Sequence, residues 1–348
     1  MLSYFADEAV KAIDKHIKEY KNAGKHIYIL CDTNTQEHCL PLLQNFLPFP
    51  FVEGVFTMKS GEKYKNIETA TDIWQQLLDK NADKSAVLLC LGGGVVCDIG
   101  GFTAATFKRG IDYLFVPTSL TAQIDACIGG KTAINFKDVK NQIGLFHLPD
   151  IVFTIPAFLD TLPEKEIFSG FAEMLKHGLI ADKSYWEELI KVSHSSQIIK
   201  DEFIKKSINI KTNICNTDPY EKDERRKLNF GHTIGHSLES FALSRGFSLS
   251  HGEAVAMGMM AETHISYQKH MISEEELNTI TAALQHFFPL FPVDKKNYKQ
   301  ILSFLQKDKK RMNESLNFTL LDKIGKAIVG RQVENEEIIL ALETQLTK

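Results

Sequence analysis

Two imidazoles stand four residues apart in Asn229-Phe230-Gly231-His232-Thr233-Ile234-Gly235-His236, a spacing that puts both on one helix face. Such a pair can bind zinc, but Thr233 stands where a zinc peptidase of the HExxH type needs glutamate, so that chemistry is disfavoured. A further histidine, His251, precedes Gly252-Glu253, and Glu173 lies in the earlier helical stretch from Ser169 to Gly178. Two imidazoles and one carboxylate would make a zinc site of three protein ligands with one position open to substrate. Taken singly, a histidine is more often a capping or surface residue than a ligand. Cations accompany the cluster: Lys176 one turn after Glu173, Lys211 on the next helical pattern, Arg225 four residues before Asn229, and Lys309-Lys310 near the C-terminus. Each alone reads as a solvated helix face. With Lys131, Lys140 and Asn141 they describe a pocket for a small molecule that carries both phosphate and carboxylate.

A second group of polar residues collects at the ends of apolar runs. Leu88 to Leu91 runs into Gly92-Gly93-Gly94 and then Asp98, and a second apolar run ends in Pro117-Thr118-Ser119, followed by Asp125 and Gly129-Gly130-Lys131. A short apolar run bounded by glycine reads as an interior strand of a parallel sheet, whose ligands sit beyond the carboxyl ends of the strands. Glycine there lets backbone N–H groups approach a phosphate, and the positive end of a following helix adds to the attraction. The spacing GGGxxxD lacks the fuller GxGxxG fingerprint, so a plain tight turn is the alternative. Asp32-Thr33-Asn34 is a similar polar strand end, suited to a nucleoside or, equally, to capping the next helix.

The elements that must position these groups follow from periodicity. Val10, Ile13, Ile17 and Tyr20 predict a helix over about residues 5 to 22, stopped by Gly24; His26 to Cys31, Phe51 to Met58 and Ile151 to Thr154 predict strands; Ile67 to Leu78 predicts a helix. The alternation implies a parallel sheet covered by helices, with a long polar loop between Phe136 and Pro149. From Glu164 the pattern is helical, recurring over 198 to 215, 228 to 243, 252 to 270 and 274 to 287, with one small hairpin about Gly325. A chain of 348 residues exceeds one core, and the division expected is 1–160, an α/β nucleotide-binding domain, and 161–348, a mostly α domain for metal and substrate. A net charge of −4 argues against a nucleic-acid partner. Six cysteines without a CxxC pair fit a reducing cytoplasm, and no secretory leader or run of 18 apolar residues points to export or a membrane.

The motifs GGGVVCDIGGF, KRG, PTSLTAQIDACIGGKTAIN, VKNQIG, GFAEMLKHG, LNFGHTIGH and LSHGEAVAMGM, in that order from about residue 60 to 310, resemble the series of the 3-dehydroquinate synthase family. The resemblance implies a Rossmann-like N-terminal domain with a helical C-terminal domain, usually a homodimer. It implies conversion of 3-deoxy-D-arabino-heptulosonate 7-phosphate to 3-dehydroquinate and phosphate, a step of the shikimate pathway to aromatic compounds. It implies that Glu173, His232 and His251 bind Zn2+ (or Co2+) while His236 serves substrate and proton transfer. NAD would be held by Asp32, Asn34, Glu62, Lys65, Gly93, Gly94, Asp98, Thr118, Ser119, Lys140, Thr161 and Leu162. Substrate would meet Asp125, Lys131, Asn141, Lys176, Lys211, Arg225, Asn229 and one of Lys309 or Lys310, and Arg109 would reach the phosphate in a neighbouring subunit's site. In the implied chemistry NAD+ takes a hydride, phosphate is eliminated, the hydride returns and an aldol closure follows, so net redox is zero. Cys97, Cys127, Val139 and His147 depart from the usual pattern without removing a charged group. The rivals are another sugar-phosphate cyclase, a metal-dependent alcohol or glycerol dehydrogenase of related fold, and a silent nucleotide-binding protein. Retention of Lys176, Lys211 and Arg225 favours an acidic substrate.

Overall fold

The computed structural model describes residues 2–47, 52–137, 139–291, 293–312 and 317–346, and of residues 306–312 the backbone alone. It forms two compact units, Met1–Ile167 and Phe168–Lys348. In the first, β1 (Leu2–Phe5), α1 (Ala6–Asn22), β2 (His26–Asp32), α2 (Thr33–His38), α3 (Leu40–Phe46), β3 (Gly54–Met58), α4 (Ile67–Asp79), β4 (Ala86–Gly92), α5 (Gly94–Thr106) and β5 (Asp112–Pro117) lead to β6 (Lys131–Phe136), β7 (Val139–Phe146) and β8 (Ile151–Thr154). Six of the strands make one sheet in the order β1-β8-β5-β4-β2-β3, every pairing parallel.

The sheet is covered on both faces, which is why its central strands read as unbroken apolar runs. Along β4, Leu88 and Cys90 face one core with Val96, Ile99 and Phe102 of α5, while Val87, Leu89 and Leu91 face the other with Ile13 and Ile17 of α1. Each fully buried aliphatic side chain of this kind contributes about 1.5–3 kcal/mol. Two expectations need correction. The stretch expected as a polar loop is β7, paired antiparallel with β6 (Thr132↔Leu145, Ile134↔Ile143), so Lys131 opens a strand. Both faces of β7 are largely exposed, so no buried face marks its sequence with a period of two. The strand expected from Phe51 begins at Gly54, and Phe51 lies outside the described residues. The edge strand β1 went unread because its four residues are exposed or half-buried.

The second unit comprises α6 (Glu164–Ala181, entering from the first), α7 (Lys183–Leu189), α8 (Ser195–Ile198), α9 (Asp201–Thr217), α10 (His232–Ser244), α11 (His251–Gln268), α12 (Glu274–Phe287), α13 (Tyr298–Met312), the hairpin β9 (Asn317–Lys323) and β10 (Lys326–Gln332), and α14 (Asn335–Leu346). The mostly helical content and the hairpin about Gly325 agree with the sequence reading. The helix expected from residue 228 starts instead at His232, because Glu224–Asn229 is a 3-10 turn and Gly231 is left-handed (φ 79°). From Ala254 to Ser266, α11 is buried on every side, a core helix rather than an amphipathic one. Among the described residues no helix is long and apolar enough to cross a membrane.

Candidate metal centre and nucleotide site

The candidate metal centre lies within the second unit, where three helices each supply one residue. Glu173 comes from α6; His232 and His251 are the first residues of α10 and α11. A capping box holds the start of α11: Ser250 Oγ accepts the Glu253 N–H (3.3 Å) and Glu253 Oε2 accepts the Ser250 N–H (2.7 Å). That start presses on α6, since a Cβ on Gly252 would fall 2.4 Å from Ser169 Cα, and the Gly252 N–H donates to Ser169 Oγ (3.2 Å). His251 is thereby set down one turn before Glu173. The start of α10 lies as close to α11, for a Cβ on Gly258 would fall 1.9 Å from the Gly231 carbonyl oxygen.

As a result His251 Nε2 is 3.1 Å and His232 Nε2 is 3.3 Å from the same oxygen, Oε1 of the fully buried Glu173. The His236 ring stands 5.2 Å from that of His232 and 6.2 Å from that of His251, and its side chain is exposed. Burial alone would push the Glu173 carboxyl up, but the Lys176 ammonium, ion-paired to Oε2, holds it well below the usual carboxylate range. Burial and then Lys176 push the His232 imidazole down, against the pull of Glu173, so it is neutral at pH 7. Its Nδ1 lies 3.3 Å from the Phe230 carbonyl, which assigns the proton to Nδ1 and leaves a lone pair on Nε2. A lone pair facing a carboxylate oxygen at 3.3 Å is repulsive unless a cation lies between them. The three ligand atoms fall within 4.8 Å of one another. Tetrahedral zinc with bonds of about 2.0–2.1 Å separates its ligand atoms by about 3.3 Å, so the residues fit such an ion.

Of the cations expected in the second unit, Lys176 is buried against Glu173 and Lys211 is buried on α9. Arg225 is buried with Nη1 donating to the Pro219 carbonyl (2.7 Å), and Asn229 donates to Glu221 Oε1 (3.0 Å). The side chains of Lys309 and Lys310 lie outside the described ones.

In the first unit Gly93 is the N-cap of α5 and supplies no side-chain cap, so the first amides of the helix are presented beside Ser119, whose Oγ would lie 3.2 Å from a Cβ on Gly93. Open amides at a helix N-terminus suit a phosphate. The Thr118 N–H donates to the Gly92 carbonyl (2.9 Å), joining the two strand ends. Lys65, buried, donates to both Asp98 Oδ2 and Asn141 Oδ1 at 2.5 Å, so two residues expected at NAD and one expected at substrate meet at one ammonium. Their hub is Asn135, to which the sequence assigned nothing: its N–H donates to the Lys65 carbonyl (2.7 Å), its Nδ2 to Glu62 Oε1 (2.9 Å), and its Oδ1 accepts the Asn141 N–H (2.9 Å). Nothing in its spacing signals that role. Asp32 caps α2, with Oδ1 accepting the Thr35 N–H (2.8 Å), and Asn34 is exposed on that helix. Lys131 and Lys140 are exposed on β6 and β7, and Asp125 is half-buried in the turn after β5. Thr161 and Leu162 follow the short turn Pro156–Leu159, and Arg109 is exposed at φ 68°. Of the departing residues, Cys97 and Cys127 are buried, Val139 opens β7, and the His147 N–H donates to the Gly130 carbonyl (2.8 Å).

The family model described as 3-dehydroquinate synthase N-terminal matches residues 55–169, and the one described as 3-dehydroquinate synthase C-terminal matches residues 170–311. The chain belongs to the 3-dehydroquinate synthase family. Among curated relatives, a 3-dehydroquinate synthase of Parabacteroides distasonis is 34% identical over 96% of this chain and 95% of its own length. One of Chlorobaculum parvum is 36% identical over 93% and 91%. A solved 2-epi-5-epi-valiolone synthase from Streptomyces hygroscopicus, with NAD+ and Zn2+ bound, is 26% identical with a TM-score of 0.78 over 92% of this chain and 90% of that one. A 2-deoxy-scyllo-inosose synthase, complexed with carbaglucose-6-phosphate, NAD+ and Co2+, shares the fold at a TM-score of 0.82, with 23% identity over 99% and 96%.

Proposed function

We propose that the protein converts 3-deoxy-D-arabino-heptulosonate 7-phosphate into 3-dehydroquinate and phosphate, with Zn2+ or Co2+ and NAD+ as its cofactors. Membership of the family supports the reaction, and the meeting of Glu173, His232 and His251 about one point carries the chemistry. In this reading those three residues hold the metal, and the Gly93-Gly94 turn with Lys65, Asp98, Thr118 and Ser119 holds NAD. Asp32, Asn34, Glu62, Lys140, Thr161 and Leu162 complete the nucleotide contacts. When bound, the metal supplies a Lewis acid for substrate hydroxyls, and NAD+ supplies a hydride acceptor that gives the hydride back.

The remaining work falls to side chains. Lys176 keeps Glu173 ionised and burial keeps His232 neutral, the protonation states in which both can act as ligands. His236, exposed beside the ligand pair, exchanges a proton with the substrate. Asp125, Lys131, Asn141, Lys211, Arg225, Asn229 and one of Lys309 or Lys310 meet its anions and hydroxyls and hold one conformer for ring closure. We also assign a homodimer working in the cytoplasm, with Arg109 reaching a neighbouring subunit's phosphate. Six buried free thiols suit a reducing compartment. Lys108 and Arg109 are both left-handed (φ 49° and 68°), a strained tip of the kind retained for a task.

The test is incubation with the heptulosonate phosphate, zinc and substoichiometric NAD+. Phosphate release well beyond one equivalent per NAD+ is expected; steady accumulation of NADH would instead mark a dehydrogenase. Light scattering that finds only monomer would remove the dimer and the role of Arg109 with it.

A further inference from the structure

We propose that Glu262 is a positioning residue for the metal centre, acting on His232 through the single peptide plane that joins Phe230 to Gly231. The proposal rests on the metal-binding reading above. Glu262 lies in the middle of α11 and is fully buried, among the apolar side chains of the helical core. A carboxylate in such a place is strongly unfavourable unless it is hydrogen-bonded. Its two oxygens are both used: Oε2 accepts the Gly231 N–H at 2.6 Å and Oε1 accepts the Ile234 N–H at 3.1 Å. These are amides of the first turn of α10, which has no helical carbonyl to give them. Gly231, the N-cap, has no side chain with which to do so. Glu262 therefore caps α10 from another helix and sets its charge against the positive end of that helix.

The consequence for the metal lies in the geometry of one peptide. The Gly231 N–H and the Phe230 carbonyl are opposite ends of the same rigid plane. One end is held by Glu262 and the other lies 3.3 Å from His232 Nδ1. The chain of bonds runs from carboxylate to amide, from that peptide's carbonyl to the imidazole N–H, and leaves Nε2 aimed at the point it shares with Glu173 and His251. A ligating histidine takes its tautomer and ring orientation from the partner of its other nitrogen. Here that partner is a carbonyl, and Glu262 decides where the carbonyl points. Successive hydrogen bonds of this kind also polarise one another, which makes Nε2 a stronger donor to a cation.

The test is Glu262→Gln in the full chain. The amide keeps the volume and one acceptor but turns an NH2 toward one of the two N–H donors. Three quantities are measured: the zinc Kd by competition with a chelator, the visible absorption of the Co2+-loaded protein, and the NAD+ Kd. A zinc Kd raised about 10–100-fold is expected, with altered Co2+ bands and an unchanged NAD+ Kd. An unchanged zinc Kd and Co2+ spectrum, even with a lower melting temperature, would reduce Glu262 to a cap for the fold and overturn the proposal. Where Glu262→Gln does not fold, Glu262→Asp, which keeps the charge but spans only one of the two amides, is held to the same outcomes. If the unsubstituted protein binds no zinc stoichiometrically, the metal reading itself fails and takes the proposal with it; failure of the variant alone to differ refutes only the proposal.

Discussion

Replacing Gly258 by alanine adds one methyl group at the crossing of α10 and α11, and it should abolish metal binding without touching a ligand. The new Cβ would stand 1.9 Å from the Gly231 carbonyl oxygen and 2.7 Å from the Gly235 nitrogen, where side-chain carbons essentially never approach closer than 3.0 Å. Both obstacles are backbone, so no rotamer change relieves them, and the helices must part locally by at least 1.1 Å. Overpacking of this kind costs about 1–3 kcal/mol, and more where backbone meets backbone. His232 follows Gly231 directly, and a metal tolerates ligand displacements of only about 0.2 Å. The variant is left with two ligands of three, so its zinc affinity should fall by more than the about 100-fold that loss of an outer partner costs. Zinc content after dialysis against a buffered free-metal concentration, read alongside the circular dichroism of the same sample, separates loss of metal from loss of fold. A Gly258→Ala protein that is folded and holds zinc with the affinity of the unsubstituted chain would refute the claim that this helix contact sets the ligand geometry.

Asn135→Ala removes the joint between the Glu62 to Lys65 segment and Asn141, and the NAD+ Kd measured by calorimetry should rise about tenfold, the equivalent of about 1.4 kcal/mol; equal affinities would show that Lys65 and Asn141 hold their places without it. Glu276 closes the capping box of α12 and also accepts the Ile324 N–H (3.1 Å); burial raises its pKa, but these hydrogen bonds and Lys183 outweigh that and lower it. A depressed carboxyl adds stability above its unfolded value of about 4.3 and loses it as pH falls through the folded value. Glu276→Gln should therefore cost about 1 kcal/mol in denaturant unfolding at pH 7 and progressively less below pH 4; a gap independent of pH would contradict the charge-based account.

Much of the candidate site was legible because its residues lie in local patterns. The glycines after β4, the paired histidines of α10, and Glu173 and Lys176 on one face of α6 are set by spacings of a few residues, and α1 and the β9–β10 hairpin by periodicity within a short window. The helical starts at His232 and His251 were less legible, since a 3-10 turn and a left-handed glycine leave no apolar rhythm. β7 and β1 were missed because exposed strands carry no alternation.

The sequence by itself determined which residue types were available and which short stretches were helix or strand, because backbone propensity and apolar period act over a dozen residues at most. Only the tertiary structure decided that His232 and His251 turn to one oxygen of Glu173, that Asn135 ties Glu62, Lys65 and Asn141 together, and that Glu262 reaches across to cap α10. Those relations join residues tens of positions apart, and they depend on how closely two backbones can approach: at Gly258 and Gly252 a single absent methyl group sets that distance.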